Sequence, residues 1–190
     1  GHFTFGHHGS WWSDELGYTY SGSYTDAAWG FLEGYLGQLD NFMKLTGPEG
    51  DFENPLMYAV GQIMEGLYYQ MFTDVFGEIP YTEAANPDIA LPKYDTQYEI
   101  YSGIIATLDE AMATIGSNTS TGNGVEDLGD NDLYCNGDLQ KWKKIANTLK
   151  LRLATRAYGA TGADFAAGTI TSALGADLLE AGDDILLEKD

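Results

Sequence analysis

Asn54-Pro55-Leu56-Met57-Tyr58-Ala59-Val60-Gly61-Gln62-Ile63-Met64-Glu65-Gly66-Leu67-Tyr68-Tyr69-Gln70-Met71-Phe72-Thr73-Asp74-Val75-Phe76-Gly77 reads as a helix with both of its ends written into it. An asparagine oxygen can accept the unpaired N–H groups of a first helical turn, and proline fits the first position because its missing N–H costs nothing there. Leu56, Val60, Ile63, Leu67 and Met71 recur at helical spacing on one predicted face, with Met64, Tyr68 and Val75 beside them. Gly77 supplies the stop, since glycine takes the left-handed turn that ends a helix.

On the C-terminal side, Glu78 to Asp95 carries three prolines, which predicts an extended connection. Thr96-x-x-Glu99 is a capping box and opens a third helix, whose stripe is Tyr101, Ile104, Ile105, Leu108, Met112 and Ile115, ended by Gly116. Residues 116–137 mix Gly, Asn, Ser, Thr and Asp without a period and read as a long surface loop. Asp138 then caps a fourth helix running to about Tyr158, with Trp142, Ile145, Ala146, Leu149 and Leu153 as its apolar face. A shorter fifth helix is predicted from Ala163 to about Leu179.

Upstream, Trp29, Leu32, Leu36, Leu39, Phe42 and Met43 predict a first helix from Thr25 to Gly47-Pro48, weakened by Gly30, Gly34 and Gly37. Residues 1–24 are an irregular, aromatic-rich segment. The fold class is therefore all-α: stacked helical hairpins over 25–115 and 138–182, separated by the loop at 116–137, with no strand pattern.

The 190-residue chain is 44% hydrophobic and 13% aromatic, which is enough to bury a core despite its charge. Nine basic against 29 acidic residues give a net charge of −20, which repels phosphate backbones and argues against a nucleic-acid partner. Six of the nine basic residues, Lys141, Lys143, Lys144, Lys150, Arg152 and Arg156, lie on the fourth helix with no Asp or Glu between them. Two readings compete for this stripe: pairing with carboxylates of neighbouring helices, which is preferred, and docking of an acidic partner. The single cysteine, Cys135, excludes an internal disulfide, and no stretch has the length of a membrane span. The first residues, Gly1-His2-Phe3-Thr4, show no secretion-signal pattern, and without an initiator methionine the chain is expected to be a processed protein or a fragment.

No catalytic motif, metal site or cofactor is predicted. His2, His7 and His8 read as solvated rather than metal-ligating. Glu126, Asp127, Asp130 and Asp132 offer hard oxygens within a short loop, but lack the closing glutamate of a calcium loop and read as a solvated turn. Two facing carboxylates would suffice for a glycosidase, yet nothing in the sequence marks such a pair. Trp11, Trp12, Tyr18, Tyr20 and Tyr24 are the candidate ligand-binding residues, because flat aromatic faces with polar neighbours pack against the C–H face of sugars. The competing reading is a plug for the end of the helical stack, with Trp29 assigned to the core and the Trp11-Trp12 pair to the surface.

Three runs occur together in order: Leu67 to Ala84 (LYYQMFTDVFGEIPYTEA), Pro92-Lys93-Tyr94-Asp95-Thr96-Gln97-x-x-Ile100-Tyr101, and Gly137-Asp138-x-x-Lys141-Trp142-x-Lys144-x-Ala146-Asn147-x-Leu149-x-Leu151-Arg152-Leu153-Ala154-x-Arg156. They resemble the SusD/RagB family, in its SusD-like branch. The resemblance implies a fold of tetratricopeptide-like helix pairs, no catalysis, and a lipid-anchored protein on the outer face of the outer membrane. It further implies capture of oligosaccharides or peptides for a SusC-like TonB-dependent transporter; a structural component of an outer-membrane assembly is the alternative. Family members run to several hundred residues, so the chain is expected to hold their N-terminal helical part, with the anchor outside it. The three runs read as architectural: Asp74, Gly77, Pro80 and Tyr81 shape a helix end and turn, and Trp142 and Asn147 lock the fourth helix.

Overall fold

A computed structural model describes residues 22–86 and 88–183, with the side chains of residues 23–25 outside the description. Among the described residues five α-helices follow one another: α1 (Gly22–Thr46), α2 (Pro55–Phe76), α3 (Gln97–Ile115), α4 (Leu139–Ala157) and α5 (Phe165–Leu174). Each packs against the next, and α2 also touches α4, which is the stacked-hairpin arrangement. Among the described residues there is no strand; one isolated antiparallel bridge joins Ile79 and Asp95.

The caps form as their residue types dictate. Asn54 Oδ1 accepts the N–H groups of Leu56 and Met57 at 3.0 and 3.1 Å. Thr96 and Glu99 exchange side-chain and backbone hydrogen bonds in a complete capping box. Asp138 Oδ1 accepts the N–H groups of Gln140 and Lys141 at 2.8 and 3.2 Å. Each such cap stabilises its helix by about 1 kcal/mol.

Two ends differ from expectation. Helix α1 begins at Gly22 rather than Thr25, because glycine and serine carry no apolar signal that could mark a first turn. Its Gly30, Gly34 and Gly37 do not interrupt it, and a Cβ at any of them would meet nothing within 4 Å. Helix α5 stops at Leu174, short of Leu179, where Gly175 turns the chain.

The core lies between α2, α3 and α4, with Trp29, Leu32 and Leu36 of α1 and Phe165 of α5 packed against it. Ile100, Ile104, Leu108 and Ile115 of α3 and Leu139, Trp142 and Leu153 of α4 are almost fully buried. Burying a side chain of this size contributes roughly 1.5–3 kcal/mol relative to exposure. Gly66 allows α2 to approach closely: a Cβ there would lie 3.0 Å from Ile104 Cγ2. The predicted face of α2 is rotated in the structure. Val60 and Ile63 are buried, but so are Ala59, Gln62, Tyr69, Gln70, Phe72 and Thr73, while Met71 and Val75 are exposed. A helix packed on several sides buries a wide arc that includes small and polar residues, and a single-stripe pattern misses that.

The connection from Glu78 to Asp95 is not simply extended but is a loop closed at its base. Asp95, 1% exposed as a side chain, accepts the N–H of Tyr81 at 3.1 Å and of Thr82 at 2.7 Å, and pairs with Lys93 at 2.9 Å. Burial pushes its carboxyl upward, but the bonds from Thr82, Lys93 and Tyr81 outweigh that and hold it down at about 2.

The basic stripe of α4 divides among several partners. Lys144 pairs with Asp183 at 2.9 Å, Lys150 with Asp109, and Arg156 with Asp74 at 3.2 Å. Lys143 Nζ instead donates to the Gly116 carbonyl at 2.6 Å, at the negative end of the α3 dipole, and Arg152 donates to Gln70. Neutralisation by carboxylates on neighbouring elements thus accounts for Lys144, Lys150 and Arg156. Asn147 locks α4 to the end of α5 through the carbonyls of Ala173 and Asp177, at 2.9 and 3.0 Å.

Candidate functional site

Three helices meet around one polar cluster. Asp74 lies in the last turns of α2, Tyr101 in the second turn of α3, and Arg156 in the last turn of α4. The Tyr101 hydroxyl donates to Asp74 Oδ1 at 2.5 Å, and Arg156 Nε lies 3.2 Å from Asp74 Oδ2 and 3.4 Å from the Tyr101 oxygen. Burial, and then the bond to the Asp74 carboxylate, push the Tyr101 phenol above its usual range, so it stays a donor. Asp74, Tyr101 and Arg156 come one each from the three signature runs, which gives those runs a common tertiary meaning.

Over this cluster opens a cleft of about 640 Å³, lined also by Gln97, Tyr98, Thr161 and Phe165. The Tyr98 and Phe165 rings stand 5.8 Å apart at 53° and form its apolar wall, with Tyr98 53% exposed. Gln97 Nε2 is anchored on the Thr73 carbonyl at 2.8 Å, which leaves its amide oxygen as an acceptor. Arg156 spends only Nε on the cluster, so its two terminal amino groups make no hydrogen bond to the described residues. The guanidinium is therefore held in place with its fork available. Asp74 cancels its charge locally, and the arrangement suits a neutral, hydroxyl-bearing ligand with an apolar face. Among the described residues that line this cleft Asp74 is the one carboxylate, and it is engaged by Tyr101 and Arg156.

Of the sequence-predicted ligand residues, Trp11, Trp12, Tyr18 and Tyr20 lie outside the described residues, as do His2, His7 and His8. Tyr24 lies in the first turn of α1, with its side chain outside the description. The aromatic character does continue along α1. Trp29 packs as expected against the core, edge-on to Phe72 at 4.6 Å and Phe76 at 5.1 Å. Beyond it, Phe31, 63% exposed, meets Tyr35 at 4.6 Å, and Tyr35 stacks on Tyr68 at 5.6 Å with 10° between the planes.

The acidic loop is built as a turn. Asp132 Oδ1 accepts the N–H groups of Tyr134 and Cys135, and Oδ2 accepts Gly137 N–H and the indole of Trp142. No group of three or more metal-ligating side chains occurs among the described residues. The Cys135 thiol is buried and pushed up to about 12 by burial and the nearby Asp132 charge, which makes it inert.

Sequence reasoning did not single out Gln97, Tyr98, Thr161 or Phe165. Gln97 and Tyr98 are the two inner positions of the Thr96–Glu99 box, where Gln97 belongs to the second signature run without a binding role assigned to it, and Phe165 reads only as part of the short fifth helix. The available signal was indirect: Asp74, Tyr101 and Arg156 each belonged to a signature run.

A family model described as "Starch-binding associating with outer membrane", SusD-like, matches residues 7–188. No curated protein matches the chain. Among solved structures, a chitin-binding protein is 31% identical with a TM-score of 0.68, over 88% of this chain and 35% of its own. A SusD-like protein from Bacteroides thetaiotaomicron is 29% identical with a TM-score of 0.70, over 87% of this chain and 33% of its own. A chitin-binding SusD homologue from Flavobacterium johnsoniae is 28% identical with a TM-score of 0.58, over 65% of this chain and 26% of its own. The chain thus spans about a third of the length of the solved relatives it matches. No helix among the described residues is long and apolar enough to cross a membrane.

Proposed function

This chain belongs to the SusD-like family, and from that premise we propose that it is part of a surface-exposed binding protein that captures glycan oligosaccharides and delivers them to a SusC-like TonB-dependent transporter. The single observation that carries the reading is the family match over residues 7–188, whose description is starch-binding and outer-membrane association. Two similar structures described as chitin-binding add support for a polysaccharide ligand. Attachment to the outer face of the outer membrane through a lipid anchor belongs to the same proposal. Binding without catalysis is the family's mode of action.

Trp11, Trp12, Tyr18, Tyr20 and Tyr24 are proposed as a stacking platform, on the chemistry of their side chains. The cleft of Tyr98, Phe165 and Arg156 is proposed as a second contact, favouring neutral over acidic sugars. Its own charges cancel, and a net charge of −20 repels anionic chains.

Calorimetric titration of a maltooligosaccharide series and a chitooligosaccharide series into the 190-residue chain tests this reading. Saturable binding of one series is expected, weakened roughly tenfold or more when Trp11 and Trp12 are both replaced by Ala. Absence of binding with either series, in a chain shown to be folded by its helical circular dichroism, counts against it. Recovery of a TonB-dependent transporter with the tagged chain is expected from native outer membranes. Recovery of a different β-barrel complex favours a structural component of an outer-membrane assembly.

A further inference from the structure

Two asparagines of the chain stand directly before a glycine, Asn123 and Asn136, and both lie in the segment between α3 and α4. Such a pair carries a reaction of its own. The backbone nitrogen of the glycine, once its proton is lost, attacks the side-chain carbonyl carbon of the asparagine. A C–N bond forms, ammonia leaves, and water opens the resulting succinimide to aspartate or isoaspartate. Glycine favours the step because it has no Cβ to obstruct the turn of its nitrogen. The two dipeptides are identical, yet the fold treats them differently.

At Asn136-Gly137 the nucleophile is tied up. The Gly137 N–H donates to Asp132 Oδ2 at 3.0 Å, and that aspartate is buried. Removing the proton would give up a charge-assisted hydrogen bond and set a nitrogen anion against a carboxylate. The flanking peptides are also fixed: Asn136 N–H donates to the Asp132 carbonyl at 2.9 Å, and Asp138 N–H to the Cys135 carbonyl at 3.0 Å. Gly137 lies against the backbone of Gly129 as well, where a Cβ would come within 2.8 Å of the Gly129 nitrogen. For the Gly137 nitrogen to swing onto the Asn136 side chain, these contacts have to give way.

At Asn123-Gly124 the same peptide is held far less. The Gly124 N–H makes no hydrogen bond among the described residues. The Asn123 side chain makes no capping bond, although it stands just before the short 3₁₀ turn Gly124–Glu126. A Cβ at Gly124 would meet nothing within 4 Å. What restrains this peptide is a bond from Glu126 N–H to the Asn123 carbonyl at 3.3 Å. The contrast is one of main-chain bonding and not of surface exposure.

We propose that Asn123 is the site of spontaneous deamidation in this chain and that Asp132 protects Asn136 from the same reaction. The product at position 123 carries one more negative charge, and its isoaspartyl form lengthens the main chain by a methylene. It falls close to Thr121, whose carbonyl receives Asn54 Nδ2 and whose hydroxyl donates to the Glu126 carbonyl. The protected asparagine instead sits in the turn whose carboxylate holds the Trp142 indole, next to the Asp138 cap of α4, where a longer backbone would disturb both.

Incubation of the 190-residue chain at mildly alkaline pH tests this, with helical circular dichroism verifying the fold and peptide mapping by mass spectrometry locating each conversion. Asn123 should convert faster than Asn136 by roughly tenfold or more, since a hydrogen bond to a charged group must break before Gly137 can attack. In concentrated urea, where the fold is lost, the two rates should converge. N123Q should remove the faster phase, because the longer side chain cyclises poorly. D132N, with its helical dichroism retained, should speed conversion at Asn136 and leave Asn123 unchanged; the urea comparison needs no variant to fold. The proposal is overturned if Asn136 converts as fast as Asn123 in the folded chain, if Asn123 stays intact there while both convert in urea, if the difference persists in urea, or if folded D132N protects Asn136 as well as the parent does.

Discussion

The indole N–H of Trp142 donates to Asp132 Oδ2 at 2.6 Å, so a carboxylate ten residues upstream in the loop holds the most bulky buried side chain of α4. The same carboxylate collects three backbone N–H groups, from Tyr134, Cys135 and Gly137. Replacing it by alanine leaves buried donors unpaired, and D132A is expected to lose about 3 kcal/mol of unfolding free energy. D132N, which keeps one acceptor oxygen, should lose less. Urea denaturation followed by tryptophan fluorescence measures both, and equal stabilities for D132A and the parent chain would remove this bond from the account.

Asp95 makes stability depend on acid. Its carboxyl is held down to about 2, below the ordinary 3.8 of the unfolded chain. A depressed carboxyl contributes stability that is present above pH ~4 and lost as pH falls through about 2, and here the contribution is about 2 kcal/mol. D95N should flatten that part of the acid-unfolding curve and lower stability at neutral pH. Denaturant melts from pH 7 down to 2 give the comparison.

Glu65 works in the opposite direction. Burial between α1 and α2, and next the charge of Asp40, push its carboxyl up to about 7. A raised carboxyl gives stability that is full below pH ~4.5 and lost as pH rises through about 7, because ionisation is penalised in the folded state. E65Q is therefore expected to be about 2 kcal/mol more stable than the parent at pH 8, with the gap closing at pH 5. A gap of the same size at both pH values would show that packing, not ionisation, is responsible.

In the cleft, Y98A removes an apolar wall while leaving the core intact, because that ring is 53% exposed. R156K keeps the positive charge but loses both the Nε contacts to Asp74 and Tyr101 and the free guanidinium fork that those contacts position. If the cleft contacts sugar, each substitution should weaken oligosaccharide binding by roughly tenfold. Titration calorimetry with the sugar series above provides the measurement; undiminished affinity in both variants would restrict binding to other residues.

What the sequence determined by itself was local. Asn54, the Thr96–Glu99 box and Asp138 fixed three helix starts because a cap is satisfied within three residues, and Gly77 and Gly116 fixed two ends. Most of the stripe of α3 was legible, with Tyr101, Ile104, Ile105, Leu108 and Ile115 buried as their spacing predicts, while Ile100 and Ala111 are buried beside them and Met112 is only partly covered. The three signature runs identified the family before any tertiary contact was known. Tertiary structure alone decided the rest. The burial of Gln70 and Thr73 and the exposure of Met71 and Val75 depend on how many neighbours α2 has, which no periodicity encodes. Asp74, Tyr101 and Arg156 meet although Tyr101 and Arg156 are 55 residues apart, and Asn54 finds Thr121 across 67. Such pairings are set by helix docking, in which many weak contacts choose one geometry, so the cleft exists only after the helices have stacked.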